Sequence, residues 1–233
     1  MLDFFFKSRK HAFLGMFLVY FITFFIILLT FLWLSSLFGG DTLYHLLLVT
    51  LIIDVIATVI IWCFSVLFKN ASVYDPFWSV APIVILLFWL NKSQRTDLPA
   101  LLLGLAIVLW GVRLTYNWAI NFKAMDHEDW RYTMLRNKKP NIWVITNLFG
   151  IHMMPTLVVF LAMTPVSYVL FSNDATIFLP LILLGALISV ASVVIQFVSD
   201  KQMKAFRNDS NKQGKNIDLG LWKYSRHPNY FGE

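Results

Sequence analysis

The sequence predicts an all-α membrane protein: a polytopic helix bundle of about six spans, followed by the start of a further C-terminal helix. Of its 233 residues, 58% are hydrophobic and only 14% are charged, whereas soluble domains carry about a quarter charged residues. Apolar runs long enough to cross a bilayer, which takes roughly 20 residues, recur along the chain. Aromatic residues make up 17%, which excludes a disordered chain.

The six predicted spans follow one another with short connections. The first is far longer than the apolar stretch of a signal peptide, about 7–15 residues, so we expect it to be retained. The second carries Asp54, and the fourth carries Arg113. Pro155 and Pro165 should kink the fifth or leave carbonyls free. The predicted ranges are 13–38, 43–68, 77–90, 98–120, 142–171 and 177–199.

The basic residues predict the orientation of the bundle. With a cytoplasmic N-terminus, the inner segments hold 16 of the 19 lysines and arginines, and the outer loops hold only Lys92 and Arg95. Cytoplasmic loops are the ones enriched in such residues. We therefore expect a multi-pass protein of the bacterial inner membrane or the endoplasmic reticulum. Its net charge of +6 needs no nucleic-acid partner.

Metal and disulfide chemistry are not expected. Cys63 is the single cysteine, which excludes a disulfide framework and a cysteine-based metal site. The neighbours His127, Glu128 and Asp129 are adjacent in sequence, and adjacent residues seldom converge on one ion. We therefore predict no metal site.

Asp75 precedes Pro76 in the segment VYDPFWSVAP, and two interpretations are open. An acid before a proline suits the cap of a helix and its positive dipole end. Alternatively, Asp75 polarises a substrate at the mouth of a cavity.

Two further spans carry polar faces. Trp110, Arg113, Tyr116 and Asn117 share one side of the fourth span, which either lines a cavity or lets the arginine snorkel to the interface. On the sixth span, three residues stay within about 40° of one direction, which favours a ligand cleft over a salt-bridged helix end. These residues are Gln196, Asp200 and Arg207.

The strings DPFWS, HEDWRY and SRHPNYFGE together resemble the steroid 5α-reductase-like superfamily, most closely its uncharacterised bacterial branch. The resemblance extends from about residue 45 onward. Relatives include sterol reductases of the Δ14 type and isoprenylcysteine carboxyl methyltransferase. The resemblance implies six or more membrane helices with a cofactor cleft on the cytoplasmic side. In the reductases NADPH delivers hydride to the β-carbon of an enone.

The resemblance also implies roles for individual residues. The family's ketone-binding carboxylate falls at Asp75, and Trp110 stands where its partner tyrosine is expected, so Tyr74 or Tyr116 would substitute. The family's asparagine and glutamate match Asn229 and Glu233. The remaining expected cofactor contacts are Arg131, Gln196, Asp200, Arg207, Lys215, Arg226 and His227.

The expected function is that of an NADPH-dependent oxidoreductase acting on a CH–CH group of a hydrophobic, steroid- or isoprenoid-like enone. A methyltransferase using S-adenosylmethionine shares the R-H-P-x-Y-x-G core, and a non-catalytic lipid-binding protein is the third possibility. The family's domain continues past this motif. We therefore expect residues 1–233 to form one membrane domain that lacks its C-terminal part and, with it, full activity.

Overall fold

A computed structural model describes residues 3–6, 8–37, 42–172 and 179–232, and in these ranges the chain forms helices and no strand. The predicted all-α polytopic fold is confirmed. Six helical stretches are long and apolar enough to cross a membrane, and each overlaps one of the six predicted spans, with bounds that differ by up to nine residues. They are Arg9–Leu34, Leu43–Phe68, Ala71–Ser93, Leu98–Asn121, Pro140–Phe171 and Leu179–Asn208.

The described residues form α-helices together with short 3₁₀ turns and one π-helix. The α-helices are α1 (Asp3–Phe6), α2 (Arg9–Leu37), α3 (Leu43–Phe68), α4 (Phe77–Ser93), α5 (Leu98–Asn121), α6 (Trp130–Lys138), α7 (Trp143–Ile145), α8 (Met154–Phe171), α9 (Leu179–Asn208) and α10 (Pro228–Phe231). The 3₁₀ turns are Ala71–Tyr74, Pro140–Ile142, Ser210–Lys212 and Gly220–Lys223, and the π-helix is Thr146–Met153.

The chain divides into two compact units. Unit 1 contains Met1–Arg95 and Leu114–Asn173, and unit 2 contains Thr96–Arg113 and Asp174–Glu233. Helix α5 therefore contributes its first part to unit 2 and its last two turns to unit 1.

The core of unit 1 forms where α2 packs on α3. Ala12, Met16 and Val19 are buried on one face of α2, as the helical spacing of three and four residues requires. The opposite face carries Phe17 and Phe21, which are 63% and 56% exposed. Such large apolar side chains are suited to lipid contact in a spanning helix.

A side-chain hydrogen bond to a hydroxyl group joins two helices of unit 1, in addition to their apolar packing. The Trp89 indole of α4 donates to Thr50 of α3 at 3.1 Å.

Pro165 lacks the N–H that would bond to the carbonyl of Leu161, four residues earlier. The Thr164 hydroxyl donates to that carbonyl at 2.7 Å, so the proline is accommodated inside α8.

In unit 2 the C-terminal segment folds back along α9. The Leu221 amide donates to Gln202 Oε1, and the Trp222 indole donates to the Ser199 carbonyl, each at 3.0 Å. Gly220 has φ +57°, a left-handed conformation that glycine adopts without strain. These contacts place α10 against α9.

Candidate functional site

The motifs DPFWS and HEDWRY belong to one structure in unit 1. Four hydrogen bonds join residues 70–75 to residues 127–132 at a sequence offset of 57, and Asn70 also donates to the Met125 carbonyl at 2.6 Å. The two segments therefore run side by side, and we call residues 69–75 and 127–136 the paired turn. Its hydrogen-bonded pairs are Asn70–His127, Ala71–Glu128, Ser72–Asp129 and Asp75–Tyr132.

A buried ion pair holds one end of the paired turn. Glu128 Oε1 accepts from the Ala71 amide at 2.8 Å and from Arg136 at 2.7 Å. Arg136 also donates to the Lys69 carbonyl at 3.0 Å, and its guanidinium lies 4.7 Å from the centre of the Trp143 ring. Because the Glu128 side chain is only 8% exposed, removing its partner would leave a buried charge uncompensated.

Asp75 and Tyr132 form a hydrogen-bonded pair, which we call the acid pair. The Tyr132 hydroxyl donates to Asp75 Oδ1 at 2.9 Å. Burial, reinforced by the Asp75 carboxylate, raises the pKa of the Tyr132 phenol above its usual value, so this tyrosine remains a donor at neutral pH. The phenol was not predicted as a partner, because spacing within one motif says nothing about a residue 57 positions away.

The interpretation of Asp75 as the cap of α4 is wrong. Helix α4 begins at Phe77 with Pro76 at its N-cap, and it has no side-chain cap bond. The carboxyl group binds Tyr132 instead, and the Ser79 hydroxyl donates to the Pro76 carbonyl at 3.1 Å.

Arg131 lies in the same turn, where it binds a neighbouring acid. Its Nε and a terminal nitrogen donate to the two oxygens of Asp129 at 2.8 and 2.9 Å. Burial tends to raise the pKa of Asp129, but the hydrogen bonds and positive charge of Arg131 outweigh it, so this pKa lies below its usual value. The structure therefore places Arg131, predicted to bind a cofactor, in an ion pair of unit 1, with the arginine side chain 51% exposed.

The two tyrosines expected beside Asp75 lie elsewhere. Tyr74 is 1% exposed, and its hydroxyl bonds to Thr156 at 2.8 Å, which in turn bonds to Thr58 at 2.9 Å. Tyr116 is 60% exposed on α5. Tyr74 therefore joins α3 and α8 through buried hydroxyls, and the tyrosine that binds the Asp75 carboxyl group is Tyr132.

The π-helix holds a buried polar group that sequence reasoning missed. His152 Nδ1 lies 2.9 Å from the Asn147 carbonyl, which assigns the proton to Nδ1. Asn147 donates to Ser65 at 3.0 Å, and the His152 ring lies 4.6 Å from that of Tyr74 at an angle of 46°. Within the described residues, His152 Nε2 and Asn147 Oδ1 are buried without a partner. An isolated histidine in an apolar run carries no pattern that would reveal this network.

In unit 2 the structure brings Arg113 of α5 to the polar face of α9. Arg113 forms an ion pair with Asp200 and donates to Gln196 Oε1 at 3.0 Å. The Arg113 side chain is 11% exposed and Gln196 is fully buried. The predicted polar faces of the fourth and sixth spans thus meet at these three residues.

Gln196 and Asn229, which we call the amide pair, each retain hydrogen-bonding capacity. Within the described part of the chain, Gln196 Nε2 and Asn229 Oδ1 are buried without a partner. Because Arg113 can only donate, the atom of the Gln196 amide that faces it must be the oxygen. A β-carbon on Gly232 would lie 2.8 Å from both the Ser192 carbonyl oxygen and Gln196 Cγ, so glycine allows α10 to approach this part of α9.

The other predicted cofactor residues are more exposed. The His227 ring lies 5.4 Å from that of Tyr230 and 6.4 Å from that of Trp222. Glu233 lies outside the described residues. Arg207, Lys215, Arg226 and His227 are all exposed.

Comparison with known proteins gives one family match. Residues 61–233 match the model of a family described as "Protein of unknown function (DUF1295)". The match covers well over half of the chain and includes both the paired turn and the amide pair. No curated protein and no solved structure matches the chain.

Proposed function

We propose, from the premise that the chain belongs to the family described as a protein of unknown function (DUF1295), that it is a membrane-embedded reductase of the steroid 5α-reductase-like superfamily. Its reaction would be the NADPH-dependent reduction of a carbon–carbon double bond in an apolar enone. The observation that carries the proposal is the acid pair, a carboxyl group held by a phenol at the start of a spanning helix. The six spans suit a substrate drawn from the bilayer.

The acid pair supplies the carbonyl chemistry in this proposal. A protonated carboxyl has an O–H to donate, and the Tyr132 hydrogen bond fixes the orientation of the Asp75 group. Asp75 would donate to the ketone oxygen, where negative charge develops as the β-carbon is reduced. Transfer of the Asp75 proton to that oxygen gives an enol, which tautomerises to the saturated ketone. Asp75 is the catalytic residue, and Tyr132 is a positioning residue.

The amide pair fits the cofactor. A carboxamide contains one acceptor oxygen and one donor NH₂ group, and the amide pair offers one unused donor and one unused acceptor. Gln196 would donate to the nicotinamide carboxamide and Asn229 would accept from it. When bound, the dihydronicotinamide would supply the hydride for the reduction. Arg207, Lys215 and Arg226 are exposed cations suited to phosphate groups.

Cofactor binding to the detergent-solubilised full-length protein tests the proposal. Energy transfer from tryptophan to the dihydronicotinamide reports NADPH binding directly, and we expect NADPH to bind and S-adenosylmethionine not to compete. Gln196→Met removes the donor while keeping the length of the side chain. It should weaken NADPH binding roughly tenfold, since one hydrogen bond is worth about 0.5–1.5 kcal/mol. Gln213→Met, at an exposed loop position, is the matched control.

The same titration separates the other functions. Binding of S-adenosylmethionine in place of NADPH would identify a methyltransferase. Binding of neither cofactor, by a protein that remains folded, would contradict an enzyme that uses either one.

A further inference from the structure

Unit 1 contains an apolar groove beside the acid pair. It is lined by Phe13, Phe17 and Tyr20 of α2, by Val80 of α4 and by Trp118 of α5. The groove has a volume of about 220 Å³, and Pro76 is among its lining residues. Phe17 is 63% exposed, so the groove opens on the surface that α2 presents to lipid. An apolar chain can therefore enter it directly from the bilayer.

Tyr20 and Pro76 connect the groove to the segment that carries Asp75. The Tyr20 hydroxyl donates to the Val73 carbonyl at 3.0 Å, two residues before Asp75. Pro76, which lines the groove, directly follows Asp75. A molecule lying in the groove would therefore have one end close to the carboxyl group.

The groove is too small to enclose a fused-ring molecule. Pockets that bury a drug-sized ligand have volumes of about 300–1,000 Å³, and this one has about 220 Å³. A single hydrocarbon chain needs only a narrow channel, and aromatic side chains form most of the wall. The size therefore favours an acyclic chain over a steroid nucleus.

We infer that this groove holds the acyclic hydrocarbon tail of the substrate, with the substrate's carbonyl group at Asp75. The inference rests on the proposed function for the position of the carbonyl group. It specifies the substrate class as a single-chain enone that enters sideways from the bilayer.

Unit 2 provides a natural control. A second groove, of about 260 Å³, lies between α5 and α9 and is lined by aliphatic side chains that include Leu102, Ala106, Leu187 and Val190. It is similar in size and equally apolar, but its lining includes no counterpart of Tyr20. A bilayer lipid would occupy both grooves, whereas a substrate held at Asp75 would occupy only the groove of unit 1.

Photolabelling of the full-length protein in lipid nanodiscs tests the inference without requiring turnover. The probe is a long-chain alkyl enone with a diazirine near the end of its tail, and a phospholipid with a diazirine in its acyl chain is the comparison. We expect the enone probe to label α2 and α4 at the first groove and an unlabelled long-chain enone to compete. A four-ring enone should compete poorly. Equal labelling of both grooves, or no competition by the enone, would show bilayer lipid and overturn the inference.

A pair of matched variants sharpens the result. Val80→Trp fills the first groove, and Val190→Trp fills the second. Val80→Trp should lower the labelling that the unlabelled enone can compete away roughly tenfold. Excluding even two methylenes from an apolar surface changes affinity by about that factor. Val190→Trp should leave it unchanged, and the reverse pattern would contradict the inference. If the unlabelled enone competes for labelling but the protein oxidises no NADPH, the reductase proposal is refuted, whereas the binding of an acyclic chain in the groove is supported.

Discussion

Asp75 owes its orientation to a phenol from another part of the chain. Tyr132 donates to one oxygen of the carboxyl group, and the hydrogen bonds of Ser72 and Asn70 fix the backbone that carries it. The carboxyl group is therefore held at one place beside the apolar groove, as a group that polarises a carbonyl must be.

Replacing Asp75 tests its catalytic role. Asp75→Asn keeps the shape of the side chain but has no proton to transfer. We expect turnover of an enone by the full-length enzyme to fall by roughly 10²–10³, the usual effect of losing one group that stabilises developing charge, with NADPH binding unchanged. Asp218→Asn, at an exposed position, is the control. Wild-type turnover in Asp75→Asn would leave the carboxyl group without a catalytic role.

The pKa of Asp129 predicts how the paired turn responds to acid. Because Arg131 lowers this pKa in the folded state, the stabilisation is present above the unfolded value of about 3.9 and is lost as pH falls through the lower folded value. Thermal unfolding in detergent should therefore show a smaller loss of stability on acidification for Asp129→Asn than for the wild type. Arg131→Gln should have the same effect, and an unchanged acid dependence in both variants would contradict the assignment.

At the scale of elements, hydropathy predicts the spans but not what joins them. Apolar run length fixes where a helix can cross a bilayer, so the bounds of α3 agree with the prediction over 43–68. The paired turn could not be predicted, because its hydrogen bonds join residues 57 positions apart and no local sequence pattern shows such a pairing. The π-helix could not be predicted either, because Asn147 and His152 follow no repeating sequence pattern. The amide pair was predicted in part, from the spacing of Gln196 with Asp200 and from the resemblance of the last segment.

Two glycines test how α10 meets α9. A β-carbon at Gly232 would lie 2.8 Å from the Ser192 carbonyl oxygen, whereas one at Gly185 meets no heavy atom within 4 Å. Gly232→Ala should displace α10 with Asn229 and weaken NADPH binding about tenfold or more, as for a lost hydrogen bond. Gly185→Ala should leave binding unchanged and slightly stabilise α9, because alanine is the better helix former. Equal NADPH affinities in the two variants would show that the contact of α10 is unimportant for the cofactor.

At the scale of the molecule, the six spans make the positions of the loops a testable property. With a cytoplasmic N-terminus, Gln94 faces outward and Asn211 faces inward, and both are exposed. In a Cys63→Ser background, an impermeant maleimide added to intact cells should label Gln94→Cys and not Asn211→Cys. The opposite result would invert the predicted orientation, and labelling of both would exclude six spans.

The paired turn also requires an even number of membrane crossings between its two segments. Its two segments hydrogen-bond to each other, so they must lie on the same side of the bilayer. The chain between residues 75 and 127 must then cross an even number of times, and α4 and α5 are the two crossings. A mutation that kept only one of these helices from inserting would put Asp75 and Tyr132 on opposite sides of the membrane. Formation of the hydrogen bond between Asp75 and Tyr132 therefore requires that α4 and α5 have both inserted.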